Sequence, residues 1–138
     1  MYPANIVLPM KSELTEAGFE DLSTPELVEG TLSAQEGTVF MVINSVCGCA
    51  AANARPGAKL ALNMSDKKPH KNVTVFAGFD IGAVAKARTY TQPYPPSSPS
   101  MALFKDGKLV YFMERHQIEG VSAQSIARQL IAVFDEHC

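Results

Sequence analysis

Two thiols stand one residue apart at Cys47-Gly48-Cys49, directly after the apolar run Val39-Phe40-Met41-Val42-Ile43 and directly before Ala50-Ala51-Ala52. An apolar run followed by a short polar break and an alanine run reads as a strand delivering a dithiol to the start of a helix. The first N–H groups of a helix have no intrahelical acceptor and carry positive partial charge, so a cysteine placed there is favoured as thiolate. The thiolate is the form that attacks disulfides. Cys47, at the outer edge of the helix start, is expected to be the nucleophile, with Cys49 as the second thiol.

The spacing adds a constraint. A disulfide needs its Cα atoms about 4.4 to 6.8 Å apart and a dihedral near 90°. A bond between cysteines separated by one residue closes a very small ring, so it is expected to be strained and readily reduced. Gly48 is expected to supply unusual backbone freedom for that closure. Such a pair suits exchange better than durable cross-linking.

The elements around the pair follow from pattern. The 138 residues, 46% hydrophobic and 19% charged, suit one domain with one filled core, residues 1–138. Lys11 to Leu22 reads as a helix, and Ser23-Thr24-Pro25-Glu26 as the capped start of a second one, Ser23 capping and Glu26 answering it. Thr38 to Asn44 is continuously apolar, as for a strand buried on both faces. A helix then runs to Leu62, with a kink expected at Pro56. Asn72 to Gly78 is a second buried strand, and Asp80 caps a helix to Thr89. The proline-rich stretch Gln92 to Ser100 is an irregular loop. Met101 to Phe104 and Leu109 to Phe112 flank an Asp106-Gly107 turn and read as a hairpin. Ser122 to Glu136 carries Ile126, Leu130, Val133 and Phe134 on one face of a final helix. Helices alternating with strands, closed by a hairpin, describe an α/β three-layer fold: a mixed central sheet flanked by helices, with an extra N-terminal helical segment.

Charge and cysteine usage exclude several functions. Lys plus Arg number 12 against 14 Asp plus Glu, with no basic block, so nucleic acid is not an expected partner. No run approaches the roughly 18 apolar residues of a membrane span, and Met1 to Asn5 lacks a basic lead-in to Ile6-Val7-Leu8; a cytoplasmic protein without membrane partners is expected. Three cysteines, two nearly adjacent and one terminal, do not form the framework of a secreted scaffold.

The segment Ser98-Pro99-Ser100-Met101-Ala102-Leu103-Phe104-Lys105-Asp106-Gly107 resembles the part of the thioredoxin fold in which a cis-proline leads into a strand and a tight Lys-Asp-Gly turn. That resemblance implies that Pro99 is cis and lies against the cysteine pair, with the backbone of Ser98 free to pair with an extended substrate. Two features depart from thioredoxins. Val46 stands where they have Trp before a Cys-x-x-Cys motif, and the position of their buried acid falls on Met41.

A second resemblance spans nearly the whole chain. Leu8-Pro9-Met10, Glu13-Leu14-Thr15, Ala17-Gly18-Phe19-Glu20, the stretch from Val42 to Ala51, Ala54-Arg55-Pro56, Val73 to Gly78, Pro96 to Leu103, Arg115-His116, Ile118-Glu119-Gly120 and His137-Cys138 are similar, in order, to the bacilliredoxin family. The family implies a cytosolic thiol–disulfide oxidoreductase that removes bacillithiol from S-bacillithiolated proteins, with weak disulfide isomerase activity. Cys47 would attack and Cys49 would close the small-ring disulfide. No cofactor would be tightly bound, and bacillithiol would be the low-molecular-weight thiol co-substrate.

Other residues near the motif are read on their own chemistry. Asn44 and Ser45, where the strand ends, could donate to an arriving or departing sulfur, or could merely form the turn. Arg55 could meet the negatively charged malyl group of bacillithiol, and a solvated surface position is favoured for it. His70 and His116 read as surface residues. Cys138 beside His137 could resolve a mixed disulfide or ligate metal, or could be inert at a fraying end. Two rival readings remain: a general disulfide isomerase or reductase that uses no bacillithiol, and a metal-binding dithiol in which Cys47, Cys49, Cys138 and a histidine share an ion.

Overall fold

The computed structural model describes residues 1–138. Its elements are α1 (Ala4–Thr15), β1 (Glu20–Asp21), α2 (Pro25–Leu32), β2 (Thr38–Asn44), a π-helical turn (Ala50–Ala54) running directly into α3 (Arg55–Met64), β3 (Lys71–Phe76), α4 (Ile81–Thr89), β4 (Ser100–Lys105), β5 (Lys108–Met113), α5 (Arg115–Ile118) and α6 (Ala123–His137). The strands form one mixed sheet in the order β1-β3-β2-β4-β5. β2 and β1 each run parallel to β3, whereas β4 is antiparallel to β2 and β5 antiparallel to β4.

β2 is central and buried at all seven positions, which is why its sequence is apolar without alternation. Its side chains still alternate between faces. Phe40 and Val42 pack with Leu14, Ala58, Ile126, Leu130 and Phe134, on the side covered by α1, α3 and α6. Val39, Met41 and Ile43 pack with Val28, Leu32, Val73, Val84 and Ala87, on the side covered by α2 and α4. Met41 therefore sits at 0% exposure in an apolar layer, leaving no ionisable group at this core position beneath the dithiol.

The β4–β5 hairpin closes as its sequence foretold. Asp106 and Gly107 have φ of 51° and 80°, the two positive values a two-residue turn of this twist demands. Antiparallel pairing of Ile43 with Ser100 brings the start of β4 to the end of β2. That register sets Ser98 and Pro99 beside the strand end from which the dithiol emerges.

Several local expectations are corrected. The first helix is Ala4–Thr15 with Pro9 inside it, while Phe19 to Leu22 lead into and through β1. Thr24, not Ser23, caps α2: its hydroxyl accepts from Leu27 N at 3.2 Å. The Asp80 carboxylate does not cap α4 but accepts from Phe76 N at 3.1 Å and pairs with buried Lys11 at 2.9 Å. Lys11 also lies 3.0 Å from Asp21 and 5.1 Å from the centre of the Phe79 ring, so one cation ties α1 to β1 and to the start of α4. This anchor explains how a helix lying outside the sheet topology is held in place.

The Pro56 disturbance takes the form of a widened turn. Pro56 has no N–H, and its ring would crowd the carbonyl four residues back, that of Ala52. Just before it, Arg55 N reaches back five residues to Ala50 O, and the helix bulges into a π-turn at its first full turn. Turns of this kind recur at functional sites. No helix of the protein is long and apolar enough to cross a membrane.

Candidate active site

Three residues after β2, Ser45, Val46 and Cys47, redirect the chain from strand to helix. Asn44, buried, accepts the N–H of Ser45 on its own side-chain oxygen at 2.9 Å, which pins the strand end. Cys47 O then accepts from Ala50 N and Ala51 N at 3.1 and 3.3 Å, so the helix begins at the first cysteine. Both cysteines are free thiols and half-buried.

Ser45 serves the nucleophile in both directions. Its hydroxyl donates to Cys47 Sγ at 3.2 Å and accepts from Cys47 N at 3.3 Å. Burial disfavours the Cys47 thiolate, but hydrogen bonds from the Cys49 thiol, the Ser45 hydroxyl and the N–H groups of Ala50 and Cys49 outweigh it, leaving the Cys47 thiol below its ordinary pKa. Cys49 moves the opposite way. Burial, its hydrogen bond to Cys47 and the Cys47 charge push it up, partly offset by Arg115. Of the pair, Cys47 is thus the better anion and Cys49 the thiol that more readily keeps its proton, a division of roles made by environment.

The freedom expected of Gly48 concerned the closed disulfide, and both thiols here are free. The φ of Gly48 is outside the left-handed region, and a Cβ built on it meets nothing within 4 Å. The glycine leaves the face between the thiols bare and open to solvent, a matter of access rather than of backbone strain.

Arg55 is the largest correction. It is 1% exposed, not a solvated residue. Its Nη1 donates to Asn44 Oδ1 and to Ser45 O, both at 2.9 Å, and its Nε faces Glu13 Oε2 at 3.2 Å. Arg55 therefore holds the loop that carries Ser45, and Glu13 compensates its charge. Asn44, whose amide N–H donates to Met10 O at 3.3 Å, is likewise committed to the scaffold, with both ends of its side chain occupied. The Ser45 hydroxyl is the member of this pair that reaches sulfur.

The Ser98–Pro99 bond is cis, with Pro99 buried and Ser98 half-buried. Ser98 joins Tyr2, Ser45, Val46, Cys47, Ala77, Gly78 and Arg115 around a small cleft of about 160 Å³. No atom of this chain accepts the Ser98 N–H, while its carbonyl accepts from Arg115 Nη1 at 3.2 Å. Tyr2 closes one wall by lying over Gly78, whose φ of 79° and missing side chain make room for the ring. Tyr2 and Arg115 were invisible as cleft residues in the sequence, since the turns that bring them here have no periodic signal.

Cys138 lies elsewhere. It packs at the end of α6 against the start of β2, near Thr38, Lys105 and Lys67, and burial raises its pKa. Seven residues of β2 at about 3.3 Å each put roughly 20 Å between that end of the strand and the dithiol end. Cys138 and His137 therefore cannot join Cys47 and Cys49 on one ion, nor can Cys138 resolve a bond on Cys47 within the chain. His70 is exposed but its Nδ1 accepts from Thr38 N at 3.0 Å, and His116 is exposed.

Two substitutions test this geometry. Ser45→Ala should raise the pH midpoint of Cys47 alkylation: losing the donor weakens the thiolate, so the rate at fixed neutral pH falls, by up to about tenfold per pKa unit. Arg55→Lys keeps the charge but cannot reproduce the paired bonds to Asn44 and Ser45, and urea unfolding should show a loss of about 2 to 3 kcal/mol. An alkylation profile unmoved by Ser45→Ala would remove the hydroxyl from the account.

Comparison with known proteins now has a geometry to attach to. A family model described as disulphide isomerase matches residues 2–138. A bacilliredoxin of Cytophaga hutchinsonii is 58% identical, covering 99% of each chain, and one of Halalkalibacterium halodurans is 53% identical over 99% of this chain and 94% of the relative. Among solved structures, the thioredoxin of Fasciola hepatica superposes with a TM-score of 0.56 at 17% identity, over 87% of this chain and all of the other, which shows the fold. With its whole length matched at such identity and a free dithiol at the head of its helix, the chain belongs to the bacilliredoxin family and is a thiol–disulfide oxidoreductase of thioredoxin fold.

Proposed function

We propose that the protein removes bacillithiol from S-bacillithiolated proteins of the cytoplasm. The observation that carries the reading is a Cys47 thiol that accepts the Ser45 hydroxyl at 3.2 Å at the head of a helix, in a cleft that also presents the unpaired N–H of Ser98. An extended client segment beside the cis-proline would donate to and accept from the Ser98 backbone, aligning its mixed disulfide with Cys47.

The steps balance without a resident cofactor. Cys47 Sγ attacks the bacillithiol sulfur of the mixed disulfide; the Cys47–bacillithiol bond forms, the old S–S bond breaks, and the client thiolate leaves with the electron pair. The Cys49 thiol then loses its proton and attacks Cys47 Sγ, releasing bacillithiol as thiolate and closing the Cys47–Cys49 disulfide. A second bacillithiol can instead attack the adduct, freeing Cys47 and leaving with the bound thiol as the small disulfide. Bacillithiol is in this reading a thiol co-substrate, and the partners are thiol-modified or disulfide-bonded proteins.

A second reading, general disulfide isomerisation, is favoured by the description of the matching family model. It begins with the same attack, so the residues are shared and only the leaving group differs.

Intact-mass analysis after mixing each reduced protein with a bacillithiolated model protein separates them. Bacillithiol should appear on Cys49→Ser, which cannot release it, and not on Cys47→Ser. No transfer to any form, with ordinary protein disulfides still reshuffled, would replace de-bacillithiolation by isomerisation.

A further inference from the structure

Resting on the thiol-transfer reading above, we propose that Arg115 is the specificity residue of the cleft, reading the charge of the small thiol so that carboxylate-bearing adducts are attacked in preference to neutral or cationic ones. The cleft around Cys47 is lined by eight residues, and Arg115 is the one charged side chain among them. Its guanidinium is positioned rather than loose: Nη1 donates to Ser98 O at 3.2 Å, Nε donates to Glu119 Oε2 at 3.3 Å, and its backbone N meets Ser97 Oγ at 3.4 Å.

These bonds use two of the five N–H donors of a guanidinium, leaving three for a ligand. The side chain is 45% exposed, so the unused edge is reachable. A planar fork with free donors matches a carboxylate better than an ammonium would. The other cations near this end of the sheet are already engaged, Arg55 by Glu13 and Asn44, and Lys11 by Asp21 and Asp80. Glu119 is the carboxylate in contact with Arg115, and it holds the Nε edge, on an exposed pair too weak to be a purpose in itself.

The positive charge is also felt by Cys47 and Cys49. A pure thiolate-stabilising role would therefore speed or slow attack on every disulfide alike, whereas recognition of an anion acts on the adduct. In the step itself Arg115 neither gives nor takes a proton. It holds the carboxylate while Cys47 Sγ bonds to the small-thiol sulfur and the client thiolate departs.

The test uses one single-cysteine model protein carrying mercaptosuccinate, mercaptoethanol or cysteamine as its mixed disulfide. Second-order rates of removal are measured for wild type, Arg115→Gln and Arg115→Lys. Wild type should favour the mercaptosuccinate adduct over the neutral one by about tenfold or more; Arg115→Gln should bring the ratio of those two rates close to one, whatever slowing is common to all three adducts, and Arg115→Lys should retain part of the preference. An equal slowing of all three adducts by Arg115→Gln, or a wild type active on all adducts but indifferent to their charge, would overturn the inference and leave thiol transfer standing. A wild type inert toward every adduct, with Cys47 still alkylated normally, would remove the thiol-transfer reading and this inference with it.

Discussion

A guanidinium with 1% of its surface exposed holds the strand end from which the dithiol hangs. Arg55 bonds the Asn44 side chain and the Ser45 carbonyl at once, and Asn44 in turn fixes Ser45 N. Burying a cation is costly unless it is paired; Glu13 lies 3.2 Å from Nε and balances the charge, and two acceptors take Nη1, while Nε itself has no hydrogen-bond acceptor. The arrangement explains how β2 can stop, turn and start a helix within three residues while keeping one serine hydroxyl aimed at sulfur. The loop that carries the dithiol is thus anchored from underneath.

On that platform the two thiols diverge. Cys47 collects donors from Ser45, from Cys49 and from the N–H groups of the helix start; Cys49 faces burial and its neighbour's charge. Thioredoxin-like proteins with an acid beneath the pair can move protons through it, but here that layer position is Met41, wholly apolar. Stabilisation of the thiolate here comes from hydrogen bonding at the motif itself, with no ionisable group at the Met41 position. The cis-Pro99 loop borders the cleft from the other side, with a Ser98 N–H that no atom of the chain accepts and a carbonyl that accepts from Arg115.

How much of this was legible in the sequence depended on whether the signal was local. The apolar run Thr38 to Asn44 and the Asp106-Gly107 turn announced β2 and the hairpin because each carries its cause within a few residues. The Cys-Gly-Cys motif and the Ser98-Pro99 segment were legible as chemistry for the same reason. Arg55 was misread because its acceptors come from α1, the end of β2 and the following loop, and a charged residue before a proline looks solvated when those partners are unseen. β1 is two residues long and left no pattern, and α1 begins at Ala4 rather than at Lys11, with Pro9 inside it. Gly48, expected to ease ring closure, stands here between two free thiols, where its missing side chain leaves the space between them open.

The central claim is that Cys47 is the thiolate of the pair because its neighbours, Cys49 among them, donate to it. Titrating thiolate ultraviolet absorbance in the reduced protein, in Cys47→Ser and in Cys49→Ala tests this directly. The account predicts a titration step below the ordinary thiol value in the wild type, absent from Cys47→Ser and shifted upward in Cys49→Ala, which has no donor at that position. A low step that survives in Cys47→Ser would contradict it, placing the anion on Cys49 and reversing the roles of the two cysteines.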